Sequence, residues 1–178
     1  MFYKALKMFL SITVLTGVLY PLFITLIAQV TMNHQANGSL IKQGETIIGS
    51  SLIGQNFSSD LYFMPRPSAV DYKPIPSGGS TLSPTSKQLQ TLVQERLKKT
   101  GAHAPADLIY ASGSGLDPHI TVEAALYQVG RIAKARSMKP EDLKKMIEAH
   151  AEGLFDSSYI NVLQLNLKLD EKLKGINK

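Results

Sequence analysis

Cysteine and tryptophan are both absent from the 178 residues of this chain. Without thiols the chain can form no disulfide bond, no thiolate zinc site and no iron–sulfur cluster, and it has no cysteine nucleophile. Hydrophobic residues make up 44% of the sequence and charged residues 19%, which excludes a disordered tail and a polytopic membrane protein. The length suits one domain with a short appendage.

Positive charge is present but is nowhere concentrated. The net charge is +5, with Lys4 and Lys7 near the N-terminus and no further charged residue before Lys42. From Lys42 onward, 17 basic residues face 14 acidic ones. A nucleic-acid-binding protein needs a concentrated basic face, so the sequence predicts no nucleic-acid partner.

A long uncharged run lies near the N-terminus. Residues 9–30 form 22 consecutive residues without Asp, Glu, Lys or Arg, and as a helix they would reach about 33 Å, enough for a hydrocarbon core of about 30 Å. Because Lys4 and Lys7 precede the run, the positive-inside rule predicts that residues 1–8 are cytoplasmic and residues 31–178 lie outside. A signal peptide is the alternative, but its apolar region is usually shorter and ends at a small-residue cleavage site.

Pro21 falls in the middle of the predicted transmembrane helix and removes one backbone hydrogen bond. Two interpretations stay open. The residue either makes a kink that the surroundings tolerate, or it shapes a surface for another membrane subunit.

Residues 31–178 are predicted to form a single mixed domain, so that the whole chain is an α+β protein with one N-terminal transmembrane helix. About three helices are expected: one from Ser83-Pro84 to Gly101, one capped by Thr121, and one from Pro140 to Gly153. Strand pieces are expected at residues 46–55, 107–110 and 163–169, the last because its leucines alternate strictly. Residues 64–83, rich in proline and glycine, are expected to be an ordered loop.

Few residues suggest chemistry. The Ser112–Gly115 turn lacks the Gly-Lys-Ser/Thr of a phosphate loop, and Asp117, His119 and Glu123 are too few for a typical zinc site. Arg66 lies between two prolines, so it either reaches a partner carboxylate or is simply solvated.

Several segments resemble one family when they are taken in order. They are residues 35–41, 49–57, 62–63, 66–69, 77–80, 111–117, 124–136 and 161–170. Together they resemble the C subunit of the Kdp-type potassium-transporting ATPase, a complex of the bacterial inner membrane. The resemblance covers nearly the whole chain.

The resemblance implies an accessory role without catalysis. It implies as partners a channel-like potassium-binding subunit and a P-type ATPase subunit, besides membrane lipid; the complex handles the potassium, and the chain alone should not hydrolyse ATP. Arg66, Pro21 and a loop are the candidate partner contacts. The loop residues are Ser77, Gly78, Gly79 and Ser80.

The resemblance also implies that the C subunit raises the ATP affinity of the ATPase subunit through a glutamine, which carries over to Gln128. This conflicts with the predicted topology, because Gln128 would lie outside while ATP is cytoplasmic. The other expectation is that Gln128 lies on the exposed or partner-facing side of its helix. A membrane-anchored enzyme acting on envelope material is the alternative function.

Overall fold

The computed structural model describes the backbone of residues 1–153 and 158–176, and the side chains of those residues up to 172. The chain divides into two compact units, Met1–Ser50 and Ser51–Lys178. The chain is a mixed α and β protein, as predicted, although its strands are short.

The first unit begins with a continuous apolar helix, Phe2–Thr31, that is long enough to cross a membrane. It consists of α1 (Phe2–Val14), a wide π-type turn (Leu15–Leu19) and α2 (Tyr20–Thr31). The predicted span of residues 9–30 lies within it, and in the described residues it is the one helix of this kind.

A small hairpin completes the first unit. The short helix α3 (Asn33–Ala36) precedes strands β1 (Leu40–Gln43) and β2 (Thr46–Ser50), which pair antiparallel. Gly44 forms the turn between them with φ +63°, a backbone conformation that glycine adopts without strain. The strand predicted at residues 46–55 is thus confirmed in its first half.

The second unit is built mainly from helices. Its elements are α4 (Lys87–Thr100), α5 (Ala106–Ile109), β3 (His119–Thr121), α6 (Val122–Arg136), α7 (Pro140–Ala149), β4 (Tyr159–Asn161) and α8 (Val162–Ile176). Strands β3 and β4 pair antiparallel, with Ile120 opposite Ile160. Each strand runs directly into a long helix, so this pairing places α6 and α8 in one core around Ile132, Leu143 and Leu165, all fully buried.

Local capping chemistry sets the starts of these helices. The Thr121 hydroxyl accepts a hydrogen bond from the Ala124 N–H at 3.2 Å, which confirms the predicted cap of α6. Asn161 does the same for α8, accepting from the Gln164 N–H at 3.1 Å. Pro140 begins α7 as predicted, although that helix ends at Ala149 and not at Gly153. Helix α4 begins at Lys87, later than predicted, and ends before Gly101.

The strand predicted at residues 163–169 is wrong, because this segment belongs to α8. Alternating leucines also fit a helix when the residues between them share the burial. Val162, Leu163, Leu165, Asn166 and Leu169 are the buried positions, and the spacings of three and four residues among them are helical.

The strand predicted at residues 107–110 is also wrong. These residues lie in and just after the short helix α5, which follows Pro105 and has Asp107 in its first turn. A carboxylate is favourable near a helix N-terminus.

Residues 64–83 contain no regular helix or strand, as predicted. The loop is held by its own side chains. The Ser68 hydroxyl accepts from the Tyr72 N–H at 2.9 Å, and the Tyr72 hydroxyl donates to the Arg66 carbonyl at 2.7 Å.

Candidate functional site

Gln128 lies on α6 and is only 4% exposed. Its Oε1 accepts from the Met64 N–H at 2.7 Å and from Arg131 Nη2 at 2.9 Å. Its Nε2 donates to the Met64 and Ala124 carbonyls, both at 3.2 Å. A side-chain amide has two N–H donors and two main acceptor sites, so all of them are in use. The expectation that Gln128 lies on an exposed or partner-facing side is therefore wrong.

Asn166 of α8 makes a matching pair of hydrogen bonds with the backbone of Phe63, the residue before Met64 in the loop. Its Oδ1 accepts from the Phe63 N–H at 2.8 Å, and its Nδ2 donates to the Phe63 carbonyl at 3.0 Å. Asn166 is 1% exposed and Phe63 is fully buried. Asn166 was not among the residues predicted from the sequence, although an amide among the leucines of this segment indicates a buried polar partner.

Two arginines of α6 hold the same loop from its other end. Arg131 donates to the Asp60 carbonyl at 2.7 Å and to the Tyr62 carbonyl at 2.8 Å. Burial lowers the pKa of Arg131, an effect that the Asp60 charge opposes, and an arginine remains protonated at neutral pH despite such a shift.

Arg136 binds both the loop and α8. It donates to the Leu61 carbonyl and to Asp170 Oδ1, the latter at 2.8 Å, and its guanidinium lies 4.6 Å from the centre of the Tyr62 ring. The Tyr62 hydroxyl donates to the other oxygen of Asp170 at 3.0 Å. Five side chains thus form what we call the clamp: Gln128, Arg131 and Arg136 of α6, and Asn166 and Asp170 of α8. It holds residues 59–64, the clamped segment.

A groove of about 250 Å³ lies beside the clamp. Its lining includes Lys99, Tyr127, Gln128 and Arg131, with Asp60 as the acidic member. The Tyr127 hydroxyl donates to the Thr100 carbonyl at 2.8 Å. The groove is cationic, but the amide of Gln128 in its wall has no hydrogen-bonding capacity left for a ligand.

Arg66 forms ion pairs within its own chain. Its Nη1 lies 3.0 Å from Asp117 Oδ2, and its Nε lies 3.6 Å from Asp107 Oδ1. Asp117 also accepts from the His119 N–H at 3.0 Å, and Asp107 accepts from the Thr121 N–H at 2.8 Å. The carboxylates that Arg66 contacts therefore tie the loop to β3.

The two glycine-containing turns of the sequence pack against each other. The Gly78 N–H donates to the Ser114 carbonyl at 3.0 Å. A Cβ on Gly115, which has φ +70°, would lie 2.7 Å from the Gly78 carbonyl oxygen, and one on Gly79 would lie 3.1 Å from that of Gly113. Gly115 is therefore required for the close backbone approach, and Gly79 favours it. At the ends of this contact Ser77 is exposed and Ser80 is half-buried.

The other sequence candidates do not form a metal centre. Within residues 1–153 and 158–172, no three or more His, Asp or Glu side chains are placed to hold a metal ion. His119 instead packs edge-on against the Tyr159 ring at 4.9 Å. Pro21 is the second residue after the wide turn in the apolar helix.

The chain is similar to known proteins over nearly its whole length. Residues 2–171 match the family model described as KdpC, the c chain of the K+-transporting ATPase. The KdpC subunit of the potassium-transporting ATPase of Geotalea uraniireducens is 48% identical, over 94% of this chain and 95% of the relative. Those of Dechloromonas aromatica, 45% identical over 96% of each chain, and of a Nostoc species, 40% identical over 94% of each, are similar over the same length.

These matches confirm the resemblance found in the sequence and give no support to an enzyme that acts on envelope material. The chain therefore belongs to the KdpC family, and it is a subunit of the potassium-transporting ATPase complex but not the catalytic one.

Proposed function

We propose that this chain is a single-pass subunit of the bacterial inner membrane that stabilises the assembly of its complex. Residues 1–8 are cytoplasmic, residues 9–30 cross the membrane, and residues 31–178 lie outside. The partners are the channel-like potassium-binding subunit and the P-type ATPase subunit, which carry out ion binding and ATP hydrolysis. The observation that carries the proposal is the apolar helix Phe2–Thr31, none of whose most apolar window is buried by the chain itself.

The charges at the start of this helix support the orientation. Lys4 and Lys7 are the first two charged side chains, and the Lys7 ammonium lies 4.6 Å from the centre of the Tyr3 ring. Tyrosine and lysine are both favoured where a helix leaves the hydrocarbon, and lysine is enriched on the cytoplasmic side.

The clamp supports a binding role over a nucleotide-binding one. For Gln128 to contact ATP, its amide would have to release the Met64 backbone, which would leave a half-buried N–H and carbonyl unpaired. We therefore assign Gln128 to positioning of the clamped segment. Any effect of the chain on the ATP affinity of its complex then acts through contacts with the other subunits. Arg66 and the loop of Ser77, Gly78, Gly79 and Ser80 are the candidate contacts in the folded body.

Labelling with a membrane-impermeant maleimide tests the orientation. The chain has no cysteine, so Lys4→Cys and Glu148→Cys each provide a single reactive thiol at an exposed position. In intact spheroplasts we expect the Glu148→Cys chain to react and the Lys4→Cys chain to react only after the membrane is permeabilised. The reverse pattern would contradict the proposal, as would recovery of the mature chain without its first thirty residues.

Co-purification tests the assembly role. In mild detergent the full chain should be recovered with a large polytopic protein and a P-type ATPase, and the chain purified alone should not hydrolyse ATP. Full transport by a complex that lacks this chain would contradict it.

A further inference from the structure

A second groove, which we call the α4 groove, lies where α4, α5 and the chain around residues 56–72 meet. Its volume is about 320 Å³, which is within the usual range of small-molecule sites. Its lining belongs wholly to the second unit, Ser51–Lys178. The groove is therefore present whichever way the apolar helix is oriented.

The charged side chains of the α4 groove are all positive. Arg96 and Lys99 lie three positions apart on α4, so they share one face of that helix. In the described part of the chain no Asp or Glu lines this groove. The groove beside the clamp differs, because Asp60 and the fully paired amide of Gln128 contribute to its wall. Two cations with no acid between them attract an anion.

Arg96 keeps hydrogen-bond donors available for a ligand. Its Nη1 donates to the Ile109 carbonyl at 2.7 Å, which is its one hydrogen bond within the described residues. The guanidinium is thereby held in place while its other N–H groups, arranged in a planar fork, can meet a carboxylate. Burial lowers the pKa of Arg96, an effect that Tyr72 and Glu95 oppose, and an arginine stays protonated at neutral pH despite such a shift.

The rest of the wall is largely apolar and carries no negative charge. Burial raises the pKa of Tyr72 to about 12, so this wall residue is neutral at physiological pH. The apolar wall residues are Phe57, Met64, Pro65, Pro67 and Leu108. An anionic group and an apolar group of one ligand can therefore be accommodated side by side.

We propose that the α4 groove binds a carboxylate attached to a small apolar group. The carboxylate accepts hydrogen bonds from the Arg96 guanidinium and the Lys99 ammonium, and the apolar group packs against Phe57 and Leu108. The ligand is either a free organic acid or an acidic side chain of another polypeptide next to an apolar one. An inorganic anion lacks the apolar group, and an uncharged apolar molecule lacks the partner for the two cations.

Binding of phenylpropionate to the full chain in lipid nanodiscs tests the proposal. Ligand-detected NMR measures the affinity, and empty nanodiscs give the contribution of the lipid. We expect the acid to bind about tenfold more tightly than its uncharged amide, because only the acid forms charge-assisted hydrogen bonds. Inorganic phosphate at the same concentration should not displace it. No binding to the chain, equal binding of acid and amide, or displacement by phosphate would overturn the proposal.

Two neighbouring lysines provide a matched pair of variants. Lys98 and Lys99 are both exposed in the last turn of α4, so either change to Met removes the same favourable interaction with the helix C-terminus. Only Lys99 lines the α4 groove. We expect Lys99→Met to weaken binding of phenylpropionate about fivefold, and Lys98→Met to leave it nearly unchanged. Equal effects of the two variants would contradict the site.

Arg96 distinguishes the α4 groove from the groove beside the clamp, because Lys99 lines both and Arg96 lines only the first of these two. Arg96→Met should weaken binding about tenfold, and Arg96→Lys, which keeps the charge but loses the planar fork, should have a smaller effect. Circular dichroism of each variant identifies any loss that is due to unfolding. Unchanged binding in a folded Arg96→Met chain would overturn the assignment.

The assembled complex distinguishes the two sources of the carboxylate. If the ligand is a free organic acid, the complex should bind phenylpropionate as well as the chain alone does. If an acidic side chain of another subunit occupies the groove, the chain alone should bind the probe and the complex should not. Either result supports the carboxylate site and assigns its source. Failure of the proposed orientation would show in the maleimide labelling of Lys4→Cys and Glu148→Cys, and would leave binding to the chain unchanged.

Discussion

The apolar helix and the folded body differ in how far the chain itself buries their side chains. The helix Phe2–Thr31 has no buried side chain. The body buries a continuous core and uses the clamp to pair even the backbone of an irregular segment. The apolar side chains of the helix can be buried only by its surroundings, whereas the body buries its core within its own fold. A subunit whose work is binding needs both properties in one chain.

Removal of residues 1–31 should give the largest effect. If the helix is the part that requires partners, the truncated chain should lose at least tenfold in recovery with the complex, while its core and clamp keep the body folded. Pull-down from detergent together with circular dichroism measures the two properties. Full transport supported by a soluble fragment of residues 34–178 would contradict this division of roles.

Asn166→Leu should destabilise the body most among single changes in the clamp. It would leave the buried N–H and carbonyl of Phe63 unpaired, which costs about 2–4 kcal/mol in the free energy of unfolding. Chemical denaturation of the detergent-solubilised chain measures it. Lys168→Ala on the same helix removes only an exposed ion pair with Glu171 and should change the stability by less than about 0.5 kcal/mol. Equal effects of the two variants would show that the clamp does not support the segment.

Gln128→Ala separates positioning from nucleotide binding. We expect a loss of about 1–3 kcal/mol in stability, because the Met64 N–H and carbonyl lose their partners. In fully assembled complex the KM for ATP should then stay within about twofold of the unchanged protein, which is less than about 0.4 kcal/mol.

Gln128→Glu is the matched variant, since it keeps an acceptor for the Met64 N–H and for Arg131 but loses the amide donors. Its stability should fall between those of the unchanged protein and Gln128→Ala. A raised KM for ATP in either variant with unchanged stability would favour a direct nucleotide contact.

Tyr72 should give the smallest effect, and only at high pH. Burial raises its pKa from 10.0 to about 12, with Arg96 opposing the shift and Asp71 adding to it. Because the unfolded chain loses this proton first, the body should lose stability as the pH rises from about 10 to 12. The slope should stay below about 1 kcal/mol per pH unit, since the side chain is partly exposed. A Tyr72→Phe variant lacks this titration, and an identical pH dependence in the two proteins would contradict the assignment.

Much of the fold followed from local sequence signals. The uncharged run of residues 9–30 is long enough to span a membrane, and the Thr121 cap and the first-turn proline Pro140 each act on their own helix turn. The irregular loop of residues 64–83 also followed from its prolines and glycines.

The candidate site was harder to predict, because each candidate residue has more than one role open to it. Arg66 was expected to reach a partner carboxylate or solvent, and it contacts Asp117 and Asp107 of its own chain. Gly78 and Gly79 were expected to contact a partner, and only the structure shows that their turn packs against the turn at Ser112–Gly115.

The sequence by itself determined the apolar helix, the starts of two helices and the family, because these depend on composition, on nearest neighbours along the chain and on ordered motifs. Only the tertiary structure decided that residues 163–169 are helical and that Gln128 and Asn166 hold the clamped segment. The reason is that Gln128 binds a backbone group 64 positions away in the sequence and Asn166 binds one 103 positions away. No local pattern specifies which distant backbone group a buried amide will meet.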